Sequence, residues 1–425
     1  MQLDQTTTEQ LKELESSLNQ QYIAFQNAGL TLDLTRGKPS AEQLSLSDAL
    51  DGILEGNYKD SQGTDLRNYG GLDGIPEAKA LFADMMGVKV DEILIGGNAS
   101  LSLMYTAAQF ALYNGVNGPD SAWIKEGKTI KFLAPVPGYD RHFSVCEHLG
   151  IELVNVPMNE DGPDMDTVEQ LVKADPQIKG IWCVPRFSNP TGTVYSDAVV
   201  ARLAKLPAIA GPNFRVFCDN AYAVHVIEDD AQALCNVMDA FRAEGTEDSL
   251  YLFGSTSKIT FAGAGVSFFA SSPASLNTFR NHLAFTTIGP NKIDQARHVK
   301  LLGDMGGLTE HMAKHAAILK PRFDAVLSCL EENLAGTGMA TWTAPQGGYF
   351  VSFDGLPGTA KAIIKLAAEA GVKLTPAGAT FPYGKDPEDK NIRIAPSFPK
   401  LEEIKRAMDV FVVCVKLATV RQKLG

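Results

Sequence analysis

The sequence predicts an α/β protein with a large, mostly parallel seven-stranded sheet and a smaller α+β domain toward the C-terminus. Between residues 92 and 269, short apolar runs typical of buried strands alternate with stretches of helical periodicity. This alternation indicates a parallel sheet with helices on both faces. From about residue 300 the pattern changes to long helices that bracket a few short strands. The length of 425 residues is sufficient for both domains.

The predicted elements follow from the spacing of apolar residues. An N-terminal helix is predicted over 8–28, with Thr7 and Gln10 as a capping box. Strands of the large sheet are predicted near 93–95, 130–134, 152–156, 180–184, 215–218, 250–253 and 266–270. Further helices are predicted near 77–86, 101–113, 141–148, 165–173, 198–205, 308–332, 359–370 and 401–420, and extended segments near 348–353 and 392–394. The predicted division is an N-terminal arm with part of the small domain (1–57), a large domain (58–300) and a C-terminal small domain (301–425).

The composition of the chain argues against several classes of partner and location. The net charge is −12 and no dense block of Lys or Arg occurs, which argues against nucleic acid and anionic membranes as partners. Six scattered cysteines without a Cys-x-x-Cys pair indicate reduced thiols. The start has no signal-peptide pattern, and no apolar run approaches the roughly 20 residues of a membrane helix, so a cytoplasmic location is predicted. No metal site is predicted.

The large domain is organised around Ser255-Thr256-Ser257-Lys258, which follows the apolar run 249–254. A strand that ends in hydroxyls and one lysine places an amine at the sheet edge where α/β proteins bind ligands. Such a lysine can form an imine with a carbonyl cofactor such as pyridoxal phosphate, and the two serines can hydrogen-bond a phosphate. By itself the tetrapeptide more often marks a solvated turn, so the other strand ends must decide.

Two further strand ends offer an anion site and an aromatic ring. Asn98, Ala99 and Ser100 follow strand 93–95 and open a helix, whose free N–H groups and dipole favour a phosphate. Tyr139 follows strand 130–134 behind a proline-rich turn and could stack on a planar heteroaromatic ring. Taken singly, these features are also typical of an ordinary strand-to-helix turn and of a half-buried tyrosine.

The remaining strand ends carry an amide and a carboxylate. Asn189 can donate to a phenolate oxygen, although Asn-Pro-Thr-Gly is also good turn chemistry. Asp219 could keep a pyridine nitrogen protonated, whereas an isolated aspartate at a strand end is commonly a helix N-cap. Tyr222 could donate to the 3-oxygen of the ring. Because the five strand ends together supply what pyridoxal phosphate chemistry needs, coincidence is the weaker explanation.

Four motifs carry a family resemblance, and they are Asn189-Pro190-Thr191-Gly192, Asp219-Asn220-Ala221-Tyr222, Ser255-Thr256-Ser257-Lys258 and Asn391-Ile392-Arg393-Ile394. In their order and separations the chain resembles, over nearly its full length, the class I aminotransferases, which are pyridoxal-phosphate-dependent enzymes of fold type I. Segments 34–39 and 287–290 resemble the divergent type Ic, or MocR-like, aspartate aminotransferases.

The resemblance implies a role for each matching residue. Lys258 is implied as the imine lysine and proton carrier, Asp219 as the partner of the pyridine nitrogen, and Arg393 as the clamp of the substrate α-carboxylate. The other residues implied at the cofactor are Tyr139, Asn189 and Tyr222 around the ring, Asn98, Ala99, Ser100, Ser255 and Ser257 at the phosphate, and Tyr69 from a second subunit. The residues implied beside the substrate, besides Arg393, are Arg36, Gly37 and Asn189.

One position departs from the family pattern. Val266 stands where most relatives place a phosphate-binding arginine, so neutralisation of the phosphate would rest on the helix end, the hydroxyls and a cation elsewhere. A dicarboxylate substrate also needs a second cation besides Arg393, because an unpaired charge in a dry pocket is costly. Arg36, Arg141 and Lys292 are the candidates for that cation.

The resemblance implies an aminotransferase that acts on aspartate or glutamate, with 2-oxoglutarate or oxaloacetate as the 2-oxo acid. Another pyridoxal-phosphate enzyme, such as a β-lyase, would use the same residues and stays open. A non-catalytic MocR-like regulatory domain is disfavoured, because the arm before Arg36 has room for one helix only and the net charge is acidic. The resemblance also implies a homodimer with shared active sites, and the one-sided apolar face of the arm helix needs a surface to cover it.

Overall fold

Residues 2–425 are described by this computed structural model, in which the strands form sheets of eight, three and two members. The strands are β1 (Leu32–Asp33), β2 (Ile93–Ile95), β3 (Lys131–Val136), β4 (Glu152–Asn159), β5 (Gly162–Pro163), β6 (Ile178–Cys183), β7 (Arg215–Asp219), β8 (Leu250–Ser255), β9 (Ser267–Ala270), β10 (Ala340–Trp342), β11 (Val351–Gly355), β12 (Val372–Lys373) and β13 (Asn391–Ile394). The α-helices are α1 (Thr8–Asn27), α2 (Ala41–Ser45), α3 (Pro76–Met86), α4 (Ser100–Tyr113), α5 (Asp140–Leu149), α6 (Met165–Ala174), α7 (Asp197–Ile209), α8 (Val237–Glu244), α9 (Pro273–Leu283), α10 (Lys292–Leu302), α11 (Met305–Leu334), α12 (Ala360–Glu369) and α13 (Leu401–Leu424).

The large sheet runs in the order β2-β9-β8-β7-β6-β3-β4-β5. Neighbouring strands from β8 to β4 pair in parallel, whereas β9 is antiparallel to both of its neighbours. The seven predicted strands are confirmed, with small shifts at their ends. The eighth strand, β5, is absent from the prediction because the pair Gly162-Pro163 carries no apolar pattern.

The strand order reverses between β3 and β6, and this places a crevice at their carboxyl ends. The chain continues from β3 to β4 on one side, whereas β6, β7 and β8 follow one another on the other side. Open α/β sheets bind ligands at such a reversal. The strands β3, β6, β7 and β8 lead to or end in Tyr139, Asn189, Asp219 and Lys258, respectively.

Alternate residues of the central strands pack into hydrophobic clusters on opposite faces of the sheet. In β7, Val216 and Cys218 belong to one cluster, whereas Phe217 belongs to the other. In β3, Leu133 belongs to the first of these clusters and Phe132 to the second. Every residue of β6, β7 and β8 is buried, so both faces of the sheet are covered.

The three-stranded antiparallel sheet β10-β11-β13 lies with α1, α11 and α13 around a third cluster. The N-terminal arm belongs to this part of the molecule, because Leu11 and Leu18 join the third cluster and β1 pairs in parallel with β12. Helix α11 enters two clusters, with Leu308 beside the large sheet and Phe323 beside the small one. The division at residues 57 and 300 stays a prediction.

The helices missing from the prediction are α2, α8, α9 and α10. The inward face of α10 is polar, since its buried residues include Lys292, Gln295 and His298, and a polar inward face hides the apolar period of a helix. The capping box of α1, with Thr7 and Gln10, is confirmed. Among the helices within residues 2–425, none is long and apolar enough to cross a membrane.

Candidate active site

Lys258 lies in a turn directly after β8, at the carboxyl edge of the large sheet. Burial lowers the pKa of its ammonium group, and the negative charge of Asp219 acts in the opposite direction. Its Nζ atom lies 4.8 Å from the centroid of the Tyr222 ring. A half-buried amine with a lowered pKa reaches its neutral, nucleophilic form more readily than a solvated lysine does.

Asp219 is the last residue of β7, and its side chain is buried. Its Oδ2 atom lies 3.0 Å from Nε2 of His142, whereas its Oδ1 atom is buried without a hydrogen-bond partner. A buried carboxylate oxygen without a donor is costly. The protonated nitrogen of a pyridine ring would supply that donor, so the orphaned oxygen fits pyridoxal phosphate.

His142 is a site residue that sequence reasoning missed. It lies on α5 and stacks on Trp182, with ring centroids 4.4 Å apart and an interplanar angle of 6°. This packing holds the imidazole against Asp219. Its spacing of three residues from Tyr139 was an available signal, because that spacing places both rings on the same side of the first helical turn.

Two tyrosines beside Asp219 remain protonated donors. Burial, followed by the charge of Asp219, raises the pKa of the Tyr139 phenol. Burial likewise raises the pKa of Tyr222 well above its ordinary value. The Tyr139 ring lies edge-on to His142, with centroids 4.9 Å apart. Both phenols can therefore donate a hydrogen bond at neutral pH, as contacts with a cofactor oxygen require.

Arg393 on β13 brings the small sheet to the edge of the large one. Its Nη1 atom lies 2.9 Å from Oδ1 of Asp140 and 3.3 Å from Oδ1 of Asn189, and its guanidinium carbon lies 5.0 Å from the centroid of Phe350. Its Nε atom is buried without a partner. A guanidinium with an unpaired buried N–H is suited to receive a carboxylate oxygen.

The residues predicted for the phosphate come together between β8 and the start of α4. Ser257 donates to the carbonyl of Asn98 at 3.2 Å, and Ser255 donates to Ser257 at 3.1 Å. Ala99 is the N-cap of α4 and makes no side-chain cap, so the N–H groups of the first helical turn, at Ser100 and Leu101, are left for another acceptor. Hydroxyls at an uncapped helix N-terminus fit a phosphate.

Val266 adds no charge to this phosphate site. Its side chain is buried in the cluster on one face of the large sheet. Its backbone N–H donates to Oγ1 of Thr256 at 2.9 Å. The position therefore supports the turn that carries Lys258 and offers no charge to a phosphate.

The predicted substrate cations lie in different surroundings. Arg36 and Arg141 are exposed. Gly37 packs against Phe350 so closely that an added Cβ would lie 2.2 Å from the ring, which brings the arm next to Arg393. Lys292 is buried, and its ammonium donates to the carbonyls of Asn68 and Gly70, at 2.7 and 2.6 Å, so its role beside a substrate stays a prediction.

Comparison with known proteins agrees with this geometry. The family model described as aspartate amino-transferase matches residues 6–425. An aspartate aminotransferase of Corynebacterium glutamicum is 47% identical over 94% of this chain and 92% of its own length. A Mycolicibacterium smegmatis protein ascribed aminotransferase activity is 48% identical over 95% of both chains. The crystal structure of an aspartate transaminase from Corynebacterium glutamicum superposes with a TM-score of 0.96, at 45% identity and 99% coverage of each chain.

Proposed function

The chain belongs to the aspartate aminotransferase family, the pyridoxal-phosphate-dependent aminotransferases of fold type I, and on this premise we propose that it transfers an amino group from aspartate or glutamate to 2-oxoglutarate or oxaloacetate. The observation that carries the proposal is the buried guanidinium of Arg393, which has an unpaired Nε and whose Nη1 lies 3.3 Å from Oδ1 of Asn189, the residue that follows β6 at the crevice. A substrate α-carboxylate would satisfy that donor.

Each residue of the site has a separate role in the proposed reaction. When bound, pyridoxal phosphate supplies an electron sink for the negative charge that develops on the substrate carbon. Lys258 Nζ would be the group that accepts and carries the proton that leaves the substrate Cα. Asp219 would hold a negative charge for the protonated nitrogen of the ring, and Arg393 would orient the substrate through its carboxylate. The donors proposed to hold the cofactor are Asn189, Tyr139 and Tyr222 at the ring and Asn98, Ala99, Ser100, Ser255 and Ser257 at the phosphate.

A dicarboxylic substrate needs a second cation, and among the three candidates Arg36 and Arg141 are the exposed ones. Arg36 is next to Gly37, whose backbone lies against the Phe350 ring. Arg141 is next to Asp140, whose carboxylate contacts Arg393. We propose that one of these exposed guanidinium groups binds the side-chain carboxylate, and each stays a candidate until it is tested.

The amino-donor preference is tested by half-reactions of the cofactor-loaded enzyme with single amino acids, followed by the cofactor absorbance. We expect aspartate and glutamate to give larger kcat/KM values than alanine or phenylalanine. Neutralising the responsible cation, by Arg36→Gln or Arg141→Gln, is expected to lower kcat/KM for aspartate about 10- to 100-fold, since hydrogen bonds to charged groups contribute about 1.5–3 kcal/mol. The same variant should leave kcat/KM for alanine unchanged.

The matched control is the other arginine, because only one of the two substitutions should act selectively. A larger kcat/KM for alanine or phenylalanine than for aspartate would contradict the acidic preference. Equal losses for aspartate and alanine would show that the arginine acts on something other than the side-chain carboxylate.

We further propose a homodimer whose subunits complete each other's sites. Tyr69 and Phe285 are exposed by 83% and 92%, and Ile288 is exposed by 62%. Their two loops pack together, because a Cβ at Gly289 would lie 2.4 Å from the carbonyl oxygen of Gly70. The two loops thus form one surface with three exposed apolar side chains, which is typical of an interface.

Sedimentation tests this assembly. The 45.7 kDa chain is expected to sediment with twice its mass, and Phe285→Asp should shift it toward the monomer, because a charge in an apolar interface is costly. Ile124→Asp is the control, since Ile124 is also an exposed apolar residue, in the segment 123–126. A fully active wild-type monomer at the assay concentration would refute the shared sites.

A further inference from the structure

The turn that carries Lys258 depends on side chains to hold its backbone. Within the turn, the N–H groups of Ile259 and Thr260 both donate to the carbonyl of Thr256, at 2.8 and 2.9 Å. Both bonds use the carbonyl of Thr256, and no backbone N–H of the turn donates to the carbonyl oxygens of Lys258 and Ile259. Buried carbonyl groups need donors, and here the donors come from distant parts of the chain.

The carbonyl oxygen of Ile259 lies between two histidines of α11. Nε2 of His311 lies 2.7 Å from it, and Nε2 of His315 lies 2.9 Å from it. Burial lowers the pKa of both imidazoles, to about 4 for His315. At neutral pH each ring therefore carries one proton, and the nitrogen that holds it decides whether the ring can donate to Ile259.

The carbonyl oxygen of Lys258 has two side-chain neighbours of its own. The hydroxyl of Tyr349 donates to it at 3.3 Å, and Nε2 of His225 lies 3.2 Å from it. Both side chains are buried. Burial lowers the pKa of His225 to about 3 and raises the pKa of Tyr349, so both groups are neutral donors at physiological pH.

Gln43 of the N-terminal arm decides where two of these protons point. Its Oε1 atom accepts from the backbone N–H of Ser40 at 3.1 Å, within the capping box of α2, so the amide nitrogen must face the other way. That nitrogen donates to the oxygen of Tyr349 at 2.9 Å and lies 3.1 Å from Nδ1 of His315. With both acceptors filled, the Tyr349 proton is left for Lys258, and the His315 proton lies on Nε2. That nitrogen is 2.9 Å from the Ile259 carbonyl oxygen and 3.3 Å from Nε2 of His311, so the carbonyl is its nearer neighbour.

We propose that Gln43 is a positioning residue for Lys258, which it holds in place by directing the hydrogen bonds of Tyr349 and His315 to the backbone of the lysine turn. The side chain of Gln43 is buried, and the residue lies far from Lys258 in sequence, on a five-residue helix of the arm. The arm thus contributes to the geometry of the reacting amine without touching substrate or cofactor. The inference rests on the role of Lys258 in the proposed function.

Two substitutions at Gln43 separate this role from helix capping. Gln43→Met keeps the length of the side chain but removes both donations. Gln43→Glu keeps the acceptor for Ser40 and replaces the donor by an oxygen that can only accept, so the protons of Tyr349 and His315 are drawn away from the turn. Misplacement of a reacting group by about 1 Å can cost about 100-fold in rate.

The expected result is a fall in kcat of about 10- to 100-fold in both variants, with KM changed by less than about twofold. The pH midpoint of the visible absorbance of the bound cofactor should also shift beyond the error of replicate titrations. Gln10→Met is the matched control, because Gln10 fills the same position in the capping box of α1 and contacts nothing near Lys258. It should leave kcat and the absorbance midpoint at their wild-type values.

A further variant keeps the test decisive if a Gln43 variant folds poorly. Tyr349→Phe removes only the hydroxyl that donates to Lys258, and it should lower kcat and shift the absorbance midpoint in the same direction. Folded Gln43 variants, or a folded Tyr349→Phe variant, with wild-type kcat and midpoint would overturn the inference. Failure of the wild type to transaminate acidic donors would instead refute the proposed function, since the absorbance comparison needs no substrate.

Discussion

Replacing Lys258 by alanine is expected to lower kcat by about 10⁴-fold or more, because the substitution removes both the nucleophilic amine and the proton carrier. The half-buried side chain makes little contribution to a hydrophobic cluster, and the carbonyls of its turn stay bound to Tyr349, His225, His311 and His315. The helix content by circular dichroism should therefore remain that of the wild type. Turnover is measured with aspartate and 2-oxoglutarate.

Three comparisons sharpen the Lys258 test. Lys258→Arg keeps a positive charge but cannot supply a neutral amine, so it should be as inactive as the alanine variant. Small primary amines added to Lys258→Ala should restore part of the turnover, because they can accept a proton in the space that the side chain leaves. Lys173→Ala, at an exposed lysine of α6, should have wild-type activity. Undiminished turnover of a folded Lys258→Ala variant would refute the assignment.

The strand ends of the large sheet were the most predictable part of the site. Lys258, Asp219 and Asn189 each follow a run of buried residues, and parallel strands bring their carboxyl ends to one edge. A local apolar pattern was therefore sufficient to predict that three residues distant in sequence lie at the same edge of the sheet. For the same reason the predicted strands are confirmed, whereas the two-residue strand β5 has too little sequence to show a pattern.

The polar residues that support the site could not be predicted in the same way. His142, Gln43 and His315 lie on three different helices, and each makes its hydrogen bond with a partner at least 56 residues away in sequence. Periodicity reports which side of a helix is apolar, and it contains no information about a buried hydrogen-bond network. The burial of Lys292 could not be predicted for the same reason, because a lysine bound to two backbone carbonyls has the same sequence signal as a solvated lysine.

The distribution of charge around the site explains why Asp219 should matter nearly as much as Lys258. Asp219 and Asp140 are acidic, and they face Lys258 and Arg393, respectively. Asp140 already has a cationic partner, whereas Oδ1 of Asp219 has no donor. A buried negative charge with a free oxygen is a prepared environment for a positive charge on the cofactor ring, and such prepared electrostatics are commonly a large part of catalysis.

Asp219→Asn is therefore expected to lower kcat about 10²- to 10³-fold, the cost commonly found for removing one electrostatic contact to a developing charge. The amide has nearly the same shape as the carboxylate and can still accept from His142, so the fold should be retained. Loss of an incompletely paired buried charge should leave the melting temperature unchanged or higher. The deficit should narrow as the pH falls, because protons from solution then replace the effect of the carboxylate on the ring nitrogen.

The control for Asp219 is His142→Gln, which removes the imidazole but keeps the carboxylate charge. It should cost less than Asp219→Asn, since Oδ2 loses its neighbour at 3.0 Å while the oxygen proposed to face the ring nitrogen is unchanged. The measurements are kcat at several pH values and the affinity for pyridoxal phosphate by equilibrium dialysis. Wild-type kcat in Asp219→Asn would show that the charge of Asp219 does not stabilise the reacting state. A larger loss of kcat in His142→Gln than in Asp219→Asn would assign that role to the position of the imidazole instead.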